Sequence, residues 1–473
     1  MGLGKTLLAI LVMEQARKEH GSFSLVVCPA SCRLQWQKEI LNAYNPGLVP
    51  KVLLLDDMSM SVHQLLDESY EIVIVSYNFL GASHRANLNF AEMFSRYVRC
   101  ERPRPSRPIC ALTSDVWKLV NLPFKRVILD ECQKVKNEKG VWYNAVKSLH
   151  HNGIVMLSGT VLANRWHDIG APLTLLRGHP FETKEKFLNA FASDDDKDTS
   201  PTELLGERLV QLQRFLMGVL IARPASILNL PLLTESSAVF KLNDAESQNV
   251  LEATNKFVRA RFHSSSNSDK AGIDGESLNP LGHAVRAQLL AAHPLLPSEH
   301  NCEGVEGRFN LDIDDGIDEN VVRIIEAQSG ISSESRNEWL SRLDAQDTET
   351  LMKSTRGHAF LEIWDRVSNS WPGKKAIIFR SYLKFLDILA VVLKRQRGAI
   401  SLRFDGSLDD REKESVKDDF MTANSSSPLL ITTGCGGTGI NLQAASVVIQ
   451  MEPWWNRNHE KQAYATDKRG EGL

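Results

Sequence analysis

The chain has 473 residues, of which 42% are hydrophobic and 24% are charged, and its formal net charge at pH 7 is −3. Domains usually contain about 100–200 residues, so this length predicts two or three domains of ordinary globular composition. The near-neutral charge excludes a globally basic nucleic-acid binder but leaves room for a local basic cleft. The sequence shows neither the basic-then-apolar pattern of a leader nor the roughly 18-residue apolar run of a membrane span, so we expect an intracellular protein.

Short apolar runs alternate with amphipathic stretches over residues 1–180. Apolar strands that alternate with helices are typical of a parallel sheet covered on both faces. The predicted strands are residues 25–28, 72–75, 127–129 and 154–157, and the clearest helical patterns are residues 7–18 and 34–43.

Two segments interrupt this alternation. Residues 99–114 are rich in Arg, Pro, Ser and Cys and are interpreted as a surface insertion. Residues 264–355 hold Ser, Asp, Glu and Asn clusters and are interpreted as a partly helical, partly flexible bridge. The alternation then returns, with predicted strands at 375–379, 429–432 and 447–450 and a helix at 382–394. We therefore predict a first lobe in residues 1–235, a bridge in 236–355 and a second lobe in 356–473.

A glycine-containing loop at the start of the chain leads into a helix-forming run. Backbone N–H groups at such a helix start point at phosphate oxygens, and the helix dipole adds a favourable field. Lys5 would reach the β- and γ-phosphates of ATP, and the Thr6 hydroxyl would bind Mg²⁺. The full pattern needs a residue before Met1, so we expect the chain to start part-way through its phosphate loop; a surface turn is the plain alternative. The predicted ATP-binding residues are Gly2, Leu3, Gly4, Lys5 and Thr6.

Two acids follow the apolar strand at 127–129. Carboxylates at the end of such a strand lie at the sheet edge where open α/β folds bind ligands. Asp130 would hold Mg²⁺ and Glu131 would polarise the attacking water. A single Asp-Glu pair could also be a solvated turn, but its combination with the upstream loop favours a nucleotide hydrolase. Ser158 and Thr160, after the next strand, could sense the γ-phosphate or form an ordinary turn.

Two further candidate sites lie near the end of the chain. Gly436, Gly437 and Gly439 follow the strand at 429–432, and such glycines let a backbone approach the phosphates of a nucleotide or a nucleic acid. A tight turn is the alternative for these glycines. Gln462 and Arg469 lie on the last helical stretch, where Arg469 could act as a cis arginine finger or remain a solvated charge.

Taken in order, these motifs resemble those of the Swi/Snf family of helicase-like ATPases in helicase superfamily two. The similarity extends over nearly the whole chain. It includes Pro29 to Ser31 followed by Trp36, and a segment from Arg223 to Pro231 similar to the pattern RxxxxxxxLP. The other segments that carry the resemblance are MGLGKT, LDECQKVKN, LSGTVLAN, GCGGTGINL and EPWWN.

The resemblance implies an α/β fold of two RecA-like lobes, each a parallel sheet with flanking helices, that binds ATP and Mg²⁺. It implies ATP hydrolysis coupled to translocation along double-stranded DNA, with chromatin proteins as further candidate partners and a nuclear role in chromatin remodelling, transcription regulation or DNA repair. Gln133 would be a coupling residue, as would Ser158, Thr160 and Gln462. The seven scattered cysteines indicate no zinc module.

Departures from the family pattern keep a second hypothesis open. Thr466 replaces the first arginine of the last motif, and Val161 replaces the proline after Ser-Gly-Thr. Thr466 and the absence of the loop residues that would precede Met1 favour a catalytically impaired fragment or paralogue that acts as a DNA- or protein-binding module. The intact pairs Lys5-Thr6 and Asp130-Glu131 argue against that alternative.

Overall fold

The structure is a computed structural model that describes residues 3–109, 112–160, 166–191, 204, 206–223, 227, 234–266, 280–296, 333–380, 382–422, 427–432, 442 and 444–452. The chain divides into two compact units, one built mainly from Met1–Leu230 and the other mainly from Pro231–Gly437 and Leu442–Trp455. Among the described residues, no helix has both the length and the apolar character needed to cross a bilayer.

The first unit is organised around a parallel sheet that has five strands in the described residues, in the order β2-β3-β1-β4-β5. The central strands β1 and β3 are buried over their whole length, as continuous apolar runs in a sheet covered on both faces should be. The strands are β1 Ser24–Cys28, β2 Val52–Leu54, β3 Ile72–Ser76, β4 Val127–Asp130 and β5 Ile154–Leu157.

Helices cover both faces of this sheet, and the sheet separates two apolar cores. One core includes Val27, Leu129 and Tyr143, and the other includes Met13, Trp36 and Ile128. The α-helices of this unit are Lys5–Gln15, Arg33–Ala43, Val62–Asp67, Tyr77–Val98, Val116–Leu119, Val141–Ser148, Gly170–Leu173, Lys184–Phe191 and Gly206–Val219. Short 3₁₀ helices form at Ala16–Lys18, Ala30–Cys32, Cys132–Val135 and Trp166–Ile169.

The second unit has its own parallel sheet, with four strands in the described residues, in the order β7-β8-β6-β9. These strands are β6 Lys375–Arg380, β7 Leu402–Phe404, β8 Leu429–Thr432 and β9 Ala445–Gln450. The helices are Asp244–Ser266, Pro280–Ala292, Ser333–Ala345, Thr348–Leu351, Thr355–Ser370, Leu383–Arg397 and Asp410–Thr422. Gly398 ends the helix Leu383–Arg397 in the left-handed conformation that favours glycine, with φ of 65°.

Part of the predicted bridge packs into the core of the second unit. Leu289, Trp339 and Leu351 are buried in the same cluster as Phe385 and Ile378. The periodicity of residues 280–296 and 333–351 is helical, but no local signal in the sequence says which core a helix joins. The proposed boundaries at residues 235 and 355 therefore remain predictions.

The seven strands predicted from apolar runs are all present, with ends that differ by at most two residues. Two strands, β2 and β7, were not predicted. Each has three residues and lies at an edge of its sheet, so each forms a ladder with one neighbour only.

Candidate active site

The candidate site lies at the carboxyl edge of the first sheet. Because every ladder between its described strands is parallel, the carboxyl ends of β4 and β5 meet there, and Asp130 pairs in register with Leu157. Ser158 therefore follows its strand directly beside the acid pair. This edge is where ligands bind in open α/β sheets.

The loop before the first helix has the backbone conformation of an anion-binding turn. Gly4 is the N-cap of Lys5–Gln15 and has φ of 73° and ψ of 28°, in the left-handed region. The helix begins immediately, since the Leu8 amide donates to the Gly4 carbonyl at 3.0 Å. A left-handed residue that leads into a helix presents successive N–H groups to one side, and the helix dipole adds positive potential there.

Asp130 is held by two hydrogen bonds. The Trp36 indole Nε1 donates to Oδ2 at 2.9 Å, and the Glu131 amide donates to Oδ1 at 3.1 Å. Burial, together with the neighbouring Glu131 carboxylate, raises the pKa of Asp130 to about 6, whereas the Trp36 hydrogen bond and the Lys5 ammonium oppose this rise. A cation placed at this carboxylate would therefore favour its ionised form.

Glu131 starts a chain of side-chain hydrogen bonds that leads away from the acid pair. Its side chain is buried, and Gln133 Nε2 donates to Glu131 Oε2 at 2.7 Å. Ser158 Oγ in turn donates to Gln133 Oε1 at 2.8 Å, and the Thr160 amide donates to Ser158 Oγ at 2.9 Å. The residues predicted as coupling groups in this unit are thus physically linked to the predicted catalytic acid.

Lys5 reaches the same region from the phosphate loop. Its Nζ lies 3.6 Å from the position that a Cβ on Gly159 would occupy, so the absence of a side chain at Gly159 leaves room around the ammonium group. Lys5 also acts on the charge of Asp130. The loop lysine, the acid pair and the Ser158–Thr160 turn therefore converge on one edge of the sheet.

The donor set fits ATP with Mg²⁺. An ammonium group and a helix start suit phosphate oxygens, and the Thr6 hydroxyl and Asp130 carboxylate are the hard oxygen ligands that Mg²⁺ prefers. The described residues contain no group of three or more His, Cys, Asp or Glu side chains that could hold a metal ion. Mg²⁺ takes most of its ligands from nucleotide phosphates and water rather than from an all-protein cage.

Some of the predicted site residues lie outside the described residues. They are Gly2, Gly436, Gly437, Gly439, Gln462 and Arg469. The roles given to them above remain predictions.

Three contacts at the site were not predicted from residue patterns. Besides the Trp36 bond, the Tyr77 hydroxyl donates to the Asp130 carbonyl at 2.8 Å, and Arg223 Nη1 donates to the Leu3 carbonyl at 2.9 Å. Trp36 and Arg223 carry parts of the family resemblance, which was the only signal that could have singled them out. Each contact joins residues far apart in sequence, so spacing alone could not reveal it.

Two family models match the chain and together cover most of it. The SNF2-related domain matches residues 1–282, and the helicase conserved C-terminal domain matches residues 359–465. The first match alone extends over more than half of the chain, and the second covers most of the second sheet.

Individual relatives agree with the family models. A DNA repair protein of Arabidopsis thaliana, RAD5B, is 39% identical over 111 residues, which are 24% of this chain and 9% of that protein. An ATP-dependent helicase of Mycoplasma pneumoniae is 24% identical over 98% of this chain and 35% of its own length. A human SWI/SNF-related regulator of chromatin is 21% identical over 98% of this chain and 42% of its own length.

The chain thus spans less than half the length of each of these relatives. The acid pair at the edge of a parallel sheet, the glycine loop that leads into a helix and the two family models agree in order and position. The chain belongs to the SNF2-related family of helicase-like ATPases, within helicase superfamily two.

Proposed function

We propose that this chain is the ATPase core of a motor that couples ATP hydrolysis to translocation along double-stranded DNA. The observation that carries the proposal is the continuous set of contacts from Glu131 through Gln133 to Ser158, beside Lys5. These hydrogen bonds connect the proposed catalytic carboxylate of Glu131 to the hydroxyl of Ser158, which follows the neighbouring strand. Through such a connection, a change in the bound nucleotide could be transmitted to the rest of the protein.

The residues of the first unit would divide the work as follows. Lys5 and the loop amides would hold the phosphates of ATP, and Thr6 and Asp130 would hold Mg²⁺, which when bound neutralises charge on the phosphate oxygens. Glu131 would orient and polarise the attacking water. Arg469 would supply positive charge to the transition state as a cis arginine finger.

The DNA part of the proposal is supported by the family and by what the relatives are named for, DNA repair and regulation of chromatin. Gly436, Gly437, Gly439 and Gln462 are our candidates for nucleic-acid contact and coupling. Contacts of this kind go mainly to phosphates, so DNA affinity should fall steeply with salt. Chromatin remodelling, transcription regulation or DNA repair in the nucleus would be the setting.

The test is ATP hydrolysis by the purified chain, with and without double-stranded DNA. We expect turnover that DNA stimulates and that Lys5→Ala abolishes, because the loop lysine is the main side-chain contact to the terminal phosphates. Lys139→Ala is the matched control, since Lys139 is an exposed lysine of the same unit that lies outside the site.

Absence of turnover in a folded chain would contradict the motor proposal. The second candidate, a DNA- or protein-binding module without hydrolysis, would then be favoured, and retention of DNA on the folded chain would distinguish the two. Turnover that is equal in Lys5→Ala and in the parent would point to a contaminating ATPase and would also count against the proposed site.

A further inference from the structure

Arg223 lies near the end of the segment Met1–Leu230, in the first unit, and contacts the phosphate loop at its start. Its Nη1 donates to the Leu3 carbonyl at 2.9 Å, and the same atom lies 3.6 Å from where a Cβ on Gly4 would be. The two partners are separated by 220 residues in sequence. A contact at this distance along the chain exists only because the fold delivers the arginine to the loop.

The helix that precedes Arg223 explains this placement. Gly206–Val219 packs against a satellite core that includes Trp166 and Phe187, with Leu212 buried in it and Phe215 packed against it. The helix is closed by a bond from the Leu220 amide to the Leu216 carbonyl at 2.8 Å. Arg223 therefore lies four residues beyond the end of an anchored helix, and this helix brings the segment that carries Arg223 close to the loop.

The bond to Leu3 fixes which way the loop amide points. A peptide unit is planar and trans, so its C=O and N–H groups point in opposite directions. When Arg223 holds the Leu3 carbonyl, the N–H of Gly4 must face the opposite side. Gly4 itself lies in the left-handed region, which turns the amides that follow it toward the same side.

The chemistry of the contact also suits an anion-binding loop. A guanidinium has five N–H donors and cannot accept a hydrogen bond, so it selects the carbonyl side of the peptide and leaves the N–H side free. In the part of the chain that the structure describes, Arg223 forms this one hydrogen bond. Its positive charge also adds to that of Lys5 beside the loop.

We propose that Arg223 is a positioning residue of the phosphate loop, which it holds with the amides turned toward the phosphates of a nucleoside triphosphate. The proposal rests on the proposed ATPase function for its ligand, but not for its structural content. It assigns a role to a residue whose only earlier signal was the start of a sequence segment. The competing explanation is a purely structural role, in which Arg223 stabilises the unit without orienting the amides of the loop.

The first readout needs no nucleotide. The Leu8 amide donates to the Gly4 carbonyl, so its hydrogen exchange reports on the order of the loop. In Arg223→Ala we expect exchange at Leu8 to rise about tenfold, because a hydrogen bond from a charged donor contributes enough for a change of this size. Arg223→Gln retains an N–H donor without the charge and should restore part of the protection.

The second readout is nucleotide affinity. We expect the dissociation constants of ATP and ADP to rise about tenfold in Arg223→Ala, with KM for ATP raised more than kcat is lowered. Arg214→Ala is the matched control, because Arg214 is an exposed arginine of the preceding helix for which the described residues provide no hydrogen bond. A structural role would instead lower the unfolding midpoint and leave KM unchanged.

The two readouts separate the failure of this inference from the failure of the proposed function. If the parent binds no nucleotide, the proposed function fails, and exchange at Leu8 still tests Arg223. Exchange that is unchanged in Arg223→Ala would overturn the positioning role whether or not the chain hydrolyses ATP. If the parent binds ATP, faster exchange at Leu8 in Arg223→Ala together with an unchanged dissociation constant for ATP would also overturn the positioning role.

Discussion

Glu131 adopts a left-handed backbone conformation, with φ of 51°, while its side chain is buried. A residue other than glycine in this region costs about 1–3 kcal/mol and persists only where its surroundings fix it. The surroundings here are the Asp130 carboxylate, which accepts from the Glu131 amide, and Gln133, which donates to the side chain. Strain of this kind is common at functional sites. It fits a Glu131 carboxylate that is buried and oriented by hydrogen bonds rather than exposed to solvent.

We predict that Glu131→Gln keeps the fold and nucleotide binding but lowers ATP hydrolysis by about 10²–10⁴-fold. The amide has the same shape and can still accept from Gln133, but it cannot take a proton from water. Single-turnover hydrolysis and ATP affinity measured side by side would check this. Glu185→Gln, an exposed glutamate of the same unit, is the control, and equal loss of binding and turnover in Glu131→Gln would contradict the assigned role.

Trp36 illustrates how a core residue can also serve the site. Its ring is buried in the apolar core with Met13 and Ile40, while its indole N–H donates to Asp130. Tryptophan suits this position because a buried indole needs one acceptor for its single N–H. A hydrophobic pattern on the helix Arg33–Ala43 predicts the burial, but not the hydrogen bond.

At the scale of elements, the turn into β1 is a close approach between two backbones. Gly21 has φ of 147°, and a Cβ there would lie 2.7 Å from the Pro123 carbonyl oxygen and 3.2 Å from Lys125 Cγ. The Ser22 amide donates to the same Pro123 carbonyl at 2.9 Å, so the turn that leads into β4 cannot move away without breaking a hydrogen bond.

We predict that Gly21→Ala lowers the free energy of unfolding by about 1–3 kcal/mol more than Gly47→Ala does. Gly47 also has a positive φ, of 92°, but nothing lies within 4 Å of its added Cβ. Both variants carry backbone strain, and only Gly21→Ala adds the clash with Pro123. Urea unfolding of the two variants would measure the difference. Equal midpoints would contradict the prediction and show that the turn moves enough to accommodate the added Cβ.

At the scale of the whole molecule, buried and half-buried histidines link stability to pH. Burial lowers the pKa of His84 and His151 in the first unit and of His283 and His293 in the second. For His151 the value falls to about 4, with Arg177 and His150 adding to the effect of burial. For His293 burial is the main cause, and the bond that Nε2 donates to the Leu351 carbonyl opposes the decrease in pKa, while Nδ1 accepts from the Leu295 amide.

A depressed histidine pKa means that the folded state binds fewer protons than the unfolded state, so stability rises with pH. The contribution is present above the ordinary histidine pKa of about 6.5 and is lost as pH falls toward the folded value. We predict that lowering the pH from 7.5 to 5.5 destabilises the chain, with His151 accounting for about 1 kcal/mol.

His151→Gln isolates this effect. The variant should lose less stability than the parent over the same pH interval, measured as urea midpoints at the two values. The comparison is with the parent because the raised pKa of Asp130 acts in the opposite direction over this range. A parent and variant with the same pH dependence would show that His151 is not the group that titrates.

The sequence by itself determined seven of the nine described strands, because a continuous apolar run between helical patterns has few structures open to it. It also indicated the local chemistry of the loop at Lys5 and of the acids after β4, since both features depend on residues that are adjacent in the chain to one helix or one strand. The family followed from the order of such segments, and the family models agree with it.

Only the tertiary structure decided what these segments touch. The pairing of β4 with β5 brings Ser158 to Gln133, the packing of a helix brings Trp36 to Asp130, and the satellite core brings Arg223 to Leu3. The short edge strands belong here too, as does the core that residues 280–296 and 333–351 join. In each case the contact joins residues distant in sequence, and its existence depends on packing that no local pattern of residues encodes.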